Sequence, residues 1–170
     1  MNPDDPHDLQ RFLNAQDTTH SRALAEIQNG RKESHWMWFI FPQVAGLGHT
    51  SMAVRYAIRS ASEAQAYLDH PILGTRLLAC TNALLPHHDH PIREIMGCPD
   101  DLKLCSSMSL FAALSAAGSP FHQVLDAFFH GVPDPAPPHS SRITRKGSSP
   151  PERKRTPQPH ARCRRRSRSR

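Results

Sequence analysis

Four prolines leave this chain little room for a sheet. Pro71, Pro91, Pro99 and Pro120 each stand at the head of a segment whose apolar residues recur every three or four positions. Proline lacks an N–H and its ring presets φ, so it suits the first turn of a helix and disrupts the interior of a strand. Glycines close two of the predicted helices, Gly30 the one before it and Gly97 the piece that Pro91 opens, as expected at helix C-termini. The pattern predicts a first helix capped by Asp8, with Leu9, Phe12 and Leu13 on one face. A second runs from about Thr18 to Asn29 through Ala23, Leu24 and Ile27. A third is capped by Ser62 and carries Ala64, Tyr67 and Leu68. The next passes from Pro71 through Leu73, Leu77 and Leu84 to Pro86. A short piece, Pro91 to Met96, precedes a long helix opened by Pro99, with Asp100 and Asp101 against its dipole, and Pro120 opens the last. Alternating patterns are scarce, so the predicted class is all-α. Two short apolar runs, Trp36 to Phe41 and Val54 to Ile58, stay ambiguous between strand and helical turn.

The helical pattern stops at Gly131. Pro133, Pro135, Pro137 and Pro138 follow, then a Ser, Arg and Pro mixture with almost no large apolar residue, which cannot bury enough surface to offset its ordering entropy. The expected organisation is a single compact helical domain over residues 7–132 and a disordered Pro/Arg/Ser-rich tail over 133–170. Charge divides the same way. Of the net +6 in the 170 residues, residues 1–138 carry −5 and residues 139–170 carry +11. The basic character therefore belongs to the tail. It predicts weak, non-specific, salt-sensitive polyanion binding by the tail, and gives the body no electrostatic reason to hold nucleic acid.

No apolar run approaches the ~18 residues a membrane helix needs, so no membrane partner is expected. The acidic, polar start from Met1 to His7 does not read as a signal peptide. The cysteines Cys80, Cys98, Cys105 and Cys163 form no C-x-x-C pair or zinc framework, which fits free thiols in a reducing cytoplasm. His87-His88-Asp89-His90 reads as a solvated loop between prolines, so no metal and no cofactor are expected. His70, ahead of Pro71, can either cap a helix or hold a ligand.

The segment Arg31 to Gly48, RKESHWMWFIFPQVAGLG, is the richest in side-chain chemistry. Both tryptophans of the chain lie in it, with Arg31, Lys32 and His35 before them and Gln43 after. One reading is core, since tryptophan buries much area. The other is a pocket wall, aromatic faces with a few convergent polar groups. Gly46 and Gly48 fit a turn better than a phosphate loop. A second cluster is Asp100, Lys103, Ser106 and Ser107, which share a helix face at i, i+3 and i+4 spacing. A lysine there can hold a phosphate or activate a serine, or it can form a plain surface ion pair. Arg55, Tyr56 and Arg76 add further polar contacts.

Several strings resemble a known family. DLQRFLNAQ (8–16), RKESHWMWFIFPQ (31–43), EAQAYL (63–68), HPILGTRL (70–77), DDLKLCSSMSLF (100–111) and VLDAFF (124–129) are similar to the bacterial domain of unknown function 1810, some members of which carry the label calpastatin. The resemblance covers about residues 8–135 and implies a compact multi-helical fold, with no established activity to carry over. Members usually have a K-L-R-S-S-like stretch where this chain has Lys103-Leu-Cys105-Ser-Ser107, and a short apolar ending where it has the basic tail.

The functional expectation is a pocket for a phosphorylated or nucleotide-like small molecule, with ADP-ribose-type ligands as the specific candidate. Trp36 and Trp38 would form its wall, with Lys32, Gln43, Arg55, Tyr56, Asp100, Ser106 and Ser107 as binding residues. His35, whose side chain alone titrates near neutrality unperturbed, and Lys103 are the candidate catalytic residues. A single site requires the HWMWFIFPQ and DDLKLCSS segments to meet in space. Two alternatives stand beside it: a non-catalytic protein-interaction module built on the same aromatic patch, and non-specific nucleic-acid binding by the tail.

Overall fold

The structure, a computed structural model, describes residues 5–134; the tail, and with it the expectation of its disorder, lies outside them. Among these residues the chain is helical: α1 (Gln10–Gln16), α2 (His20–Gln28), α3 (Met37–Ile40), α4 (Ser51–Arg55), α5 (Ala61–Asp69), α6 (Leu73–Leu84), α7 (Ile92–Met96), α8 (Asp100–Ala112) and α9 (Pro120–Phe129). One isolated parallel bridge, Val44 to Ile58, is the only pairing of extended backbone among them. The ambiguous segments resolve accordingly. Trp36 to Phe41 contains the single turn of α3, and the 54–58 run splits into the end of α4 and the bridge. No described helix is long and apolar enough to cross a membrane.

The starts and stops follow the sequence with two corrections. Asp8 adopts a left-handed φ of 51° and does not cap α1. Asp5 does so instead, accepting from the N–H groups of Leu9 (2.7 Å) and Gln10 (2.9 Å). At α5 the cap is Ser60 and not Ser62: Ser60 Oγ accepts from Glu63 N at 3.1 Å, and Glu63 returns a carboxylate oxygen to Arg59 N at 2.9 Å. His70 takes the capping role, its Nδ1 accepting from Ile72 N and Leu73 N at the entry to α6.

α6 occupies the middle, with α2, α5 and α9 packed around it, and α8 lies against α7 and α9. An added methyl at Gly74 would sit 1.9 Å from the Leu68 carbonyl oxygen, so α5 and α6 approach as closely as they do only because this position has no side chain. Edge-on and tilted rings run through the core: Phe12 on Tyr67 (4.9 Å), Tyr67 on Phe111 (5.7 Å) and Phe111 on Phe121 (5.6 Å). Trp36, Phe12, Phe41, Tyr67 and Phe111 are all fully buried.

Polar groups are built into this core and are satisfied there. Gln16 Nε2 donates to the Phe39 carbonyl (2.7 Å) and the Tyr67 hydroxyl (2.9 Å), tying α1, α3 and α5 together. The buried Arg11 guanidinium spends all five donors. Nε goes to Arg55 O (3.0 Å), Nη1 to His7 O and Asp8 O, and Nη2 to Ala57 O and the Glu63 carboxylate. Because those carbonyls belong to residues 7–8 and 55–57, Arg11 sets where the N-terminal segment and the chain after α4 run relative to each other.

Candidate functional site

The loop between α2 and α3 is wound around one carboxylate. Glu26 Oε2 accepts from Glu33 N (2.8 Å), Ser34 N (3.0 Å) and the Trp36 indole N–H (2.7 Å), and Oε1 accepts from Ser34 Oγ (2.6 Å). Burial alone would raise the Glu26 pKa. The hydrogen bonds from Ser34, Glu33 and Trp36 outweigh it and hold the carboxyl down at about 2. Lys32 N also donates to Ile95 O at 2.7 Å, fastening the loop to α7.

This winding aims Lys32 at the start of α8. Asp100 bridges two lysines there, Lys32 at 2.8 Å and Lys103 at 2.6 Å. Burial raises the Asp100 pKa, and the two ammonium groups more than compensate, leaving it below the usual carboxylate range. Each lysine also lies over an indole, Lys32 at 5.2 Å from the Trp36 ring centre and Lys103 at 5.0 Å from that of Trp38. The HWMWFIFPQ and DDLKLCSS segments therefore meet, through Lys32, Trp36, Trp38, Asp100 and Lys103.

What they form differs from the expected pocket wall. Trp36 is fully buried with its N–H committed to Glu26, so it has no face open to a ligand. Trp38 is half-buried beneath Lys103, and the open aromatic patch that a partner-binding reading needs is not formed by these rings. The expected lysine–serine pair is not made either. Lys103 bonds to Asp100, Ser106 Oγ donates to the Asp134 carboxylate, and Ser107 is wholly buried with no partner for its hydroxyl among the described residues. His35 is exposed on the approach to α3. No group of three His, Cys, Asp or Glu side chains among the described residues is placed to hold a metal ion.

The remaining expected residues lie elsewhere. Arg55 is exposed, with its guanidinium 5.6 Å from the ring of Tyr56, itself buried against Phe12 and Phe39. Arg55 lines a cleft of about 350 Å³ with Asp8, Gln10, Arg11, Asn14 and Arg59. Gln43 lines a second, largely apolar cleft of about 210 Å³ beside the Val44–Ile58 bridge. Arg59 is a wall of both. Neither Arg55 nor Arg59 forms an ion pair with a carboxylate among the described residues, whereas Lys32, Lys103 and Arg11 all do. Sequence reasoning missed Arg59, Asn14 and Asp8. The only hint was the count of arginines around Tyr56.

The structure is thus an all-α protein held by buried polar clasps, with two clefts around residues 8–14 and 43–59 that share Arg59 as a wall. The chain belongs to the family described as "Protein of unknown function (DUF1810)", which matches residues 6–139. It is similar to the conserved hypothetical protein Rv1873 from Mycobacterium tuberculosis, whose crystal structure superposes with a TM-score of 0.74 at 49% identity, covering 76% of this chain and 92% of that one. No curated protein matches the chain.

Proposed function

We propose that this protein binds a phosphorylated small molecule of nucleotide or ADP-ribose type, with the phosphate held in the cleft of Arg55 and Arg59. The observation that carries this reading is the pairing of two exposed guanidiniums, unopposed by an ion-paired carboxylate, in one concave surface. Guanidinium offers a planar fork of donors that matches phosphate oxygens, and Asn14 and Gln10 add side-chain amides. The support beneath is rigid, because Arg11 grips the carbonyls of Arg55 and Ala57 from below. Preorganised donors lose less freedom on binding than flexible ones. Asp8 contributes a carboxylate to the same wall, which opposes a bare anion and suits a hydroxylated one, since it can accept from a sugar hydroxyl.

Titration calorimetry with pyrophosphate and with ADP-ribose tests this. Both should bind, pyrophosphate the more weakly because it faces the Asp8 carboxylate without a hydroxyl to offer it, and a ligand at 100 times its Kd should raise stability by about 2.7 kcal/mol. The Arg55→Ala/Arg59→Ala double variant should keep the wild-type circular dichroism and lose the binding. Equal binding by the double variant, or no binding by the wild type, rules the reading out.

A further inference from the structure

Asp8 is held in a conformation that its residue type disfavours. Its φ of 51° lies in the left-handed region, where the Cβ of any residue other than glycine crowds the backbone. Both sides of the residue are tied down. Asp8 N donates to Asp5 O at 3.1 Å, and Asp8 O accepts from Arg11 N at 3.2 Å and from Arg11 Nη1 at 2.7 Å. The carboxylate itself does nothing for the fold. Asp5 caps α1, and the Asp8 side chain makes no hydrogen bond or ion pair among the described residues, although it lines the same cleft as Arg55 and Arg59. A glycine would make this turn with less strain, so the backbone does not account for an aspartate here.

Gln10 and Asn14 stand one turn apart on α1 and line the same cleft. Gln10 Nε2 donates to Asn14 Oδ1 at 2.8 Å, which leaves the Asn14 Nδ2 donors without a partner among the described residues. The wall therefore combines a carboxylate, which only accepts, with an amide nitrogen, which only donates. A phosphate oxygen answers the amide alone, and an ammonium group answers the carboxylate alone. A hydroxyl answers both, donating to Asp8 and accepting from Asn14. Two vicinal hydroxyls supply a donor to each carboxylate oxygen. At about 350 Å³ the cleft lies at the small end of the ~300–1,000 Å³ of ligand sites, which fits a pentose with its phosphate. Arg11 fixes the spacing between the two halves, because one guanidinium grips the Asp8 carbonyl and those of Arg55 and Ala57.

From this we infer that the cleft reads the vicinal hydroxyls of a ribose, with Asp8 as the specificity-determining residue and Asn14 as its partner, while Arg55 and Arg59 hold the phosphate of the same molecule. The ligand class is thereby a ribonucleotide with both ribose hydroxyls free, selected over its deoxy counterpart. The inference rests on the phosphate reading above and adds the sugar to it.

The test compares AMP, deoxy-AMP and pyrophosphate on the full chain by calorimetry. The wild type should bind AMP ~10-fold or more tighter than deoxy-AMP, because a site that pairs with a hydroxyl disfavours the analogue lacking it. Asp8→Asn removes the charge and half of the acceptor capacity. It should bind the two nucleotides alike, and should bind pyrophosphate roughly 2–5-fold more tightly than the wild type does, the scale of one exposed charge pair. A merely structural role for Asp8 would weaken every ligand, so a gain for pyrophosphate beside a loss for AMP separates the two. Asparagine adopts the left-handed turn readily, and Asp8→Gly relieves it altogether, so that variant should repeat the result with an unchanged or higher melting temperature. Equal binding of AMP and deoxy-AMP by the wild type would overturn the ribose reading and leave the phosphate reading standing. So would an AMP preference that survives in both variants. If neither pyrophosphate nor AMP binds the wild type, both readings fall together.

Discussion

The indole N–H of Trp36 donates to Glu26 Oε2 at 2.7 Å, inside the protein. A tryptophan that looks in the sequence like a pocket wall is thereby the anchor of a loop. Its ring is fully buried, whereas Trp38, two residues on, is half-buried beneath a lysine. Truncation should separate the two. Trp36→Ala should cost about 3–5 kcal/mol, the range for emptying a buried aromatic site. Trp38→Ala should cost about 1–2 kcal/mol, because less of the ring leaves water. Urea unfolding of the two variants measures this, and equal losses would contradict the division of roles.

Glu26 links the same loop to pH. Its folded pKa of about 2 lies below the ordinary 4.5, so the folded state holds its proton less tightly than the unfolded chain does. The stabilisation is fully present above the ordinary value and is lost as pH falls towards about 2. The difference corresponds to ~3 kcal/mol. Asp100, lowered by Lys103 and Lys32 against the effect of burial, adds loss of the same sign. Urea midpoints recorded from neutral pH down to the acid limit should fall steeply in this window. In Glu26→Gln the fall should be shallower and the neutral-pH stability lower. A Gln variant that keeps the full acid slope would show that the slope comes from other carboxylates.

Arg11 is the clasp beneath the proposed phosphate cleft. Lysine has three donors on a point charge and cannot reproduce a five-donor fork. Arg11→Lys should therefore destabilise the fold by about 3–5 kcal/mol, as expected when a buried ion pair and its hydrogen bonds are broken. It should also weaken pyrophosphate binding before the protein unfolds, since the carbonyls of Arg55 and Ala57 lose their tether. Calorimetry on the folded variant checks the second point, and unchanged affinity would place Arg11 outside the site's support.

The Lys32–Asp100–Lys103 bridge predicts an asymmetry. Lys103→Met should cost under about 1 kcal/mol, because its ammonium is partly solvated and Asp100 keeps Lys32. Asp100→Asn should cost more, since it leaves two lysines side by side, one of them only 10% exposed, without a counter-charge. Thermal melts at low and high salt should show the Asp100→Asn deficit shrinking as salt screens the repulsion between the lysines. A deficit independent of salt would assign it to lost hydrogen bonds alone.

Much of the architecture could be read from the chain. Pro99 and Pro120 stand where α8 and α9 begin, Gly30 and Gly97 where α2 and α7 end, each with positive φ, and the apolar spacing located the long helices. These are local properties: a missing N–H, a missing Cβ and a 3.6-residue period act within a few residues and need no tertiary partner. Caps were less legible. Asp8 and Ser62 stand as close to a helix start as Asp5 and Ser60 do, and only the path of the entering chain decides which oxygen reaches the free N–H groups.

The site was legible only in fragments. That the Trp36–Trp38 segment meets the Asp100–Lys103 helix could be anticipated from their mixed chemistry, but not whether the mixture faces a ligand or the core. Gln16, Glu26, Glu63 and Tyr67 answer that question. Each is a polar residue on an apolar face, and each has its hydrogen bonds completed by a segment distant in the chain or by a folded loop. Polarity in a motif marks a group that needs a partner, and the sequence does not say whether that partner is the protein or a ligand. Helix identity, helix ends and the break in composition after Gly131 were determined by the sequence itself, because short-range sterics and solvation decide them. The burial of Trp36, the clasp of Arg11 and the joining of two clefts at Arg59 were decided only by the tertiary structure, because each depends on which distant backbone carbonyls and side chains arrive beside it.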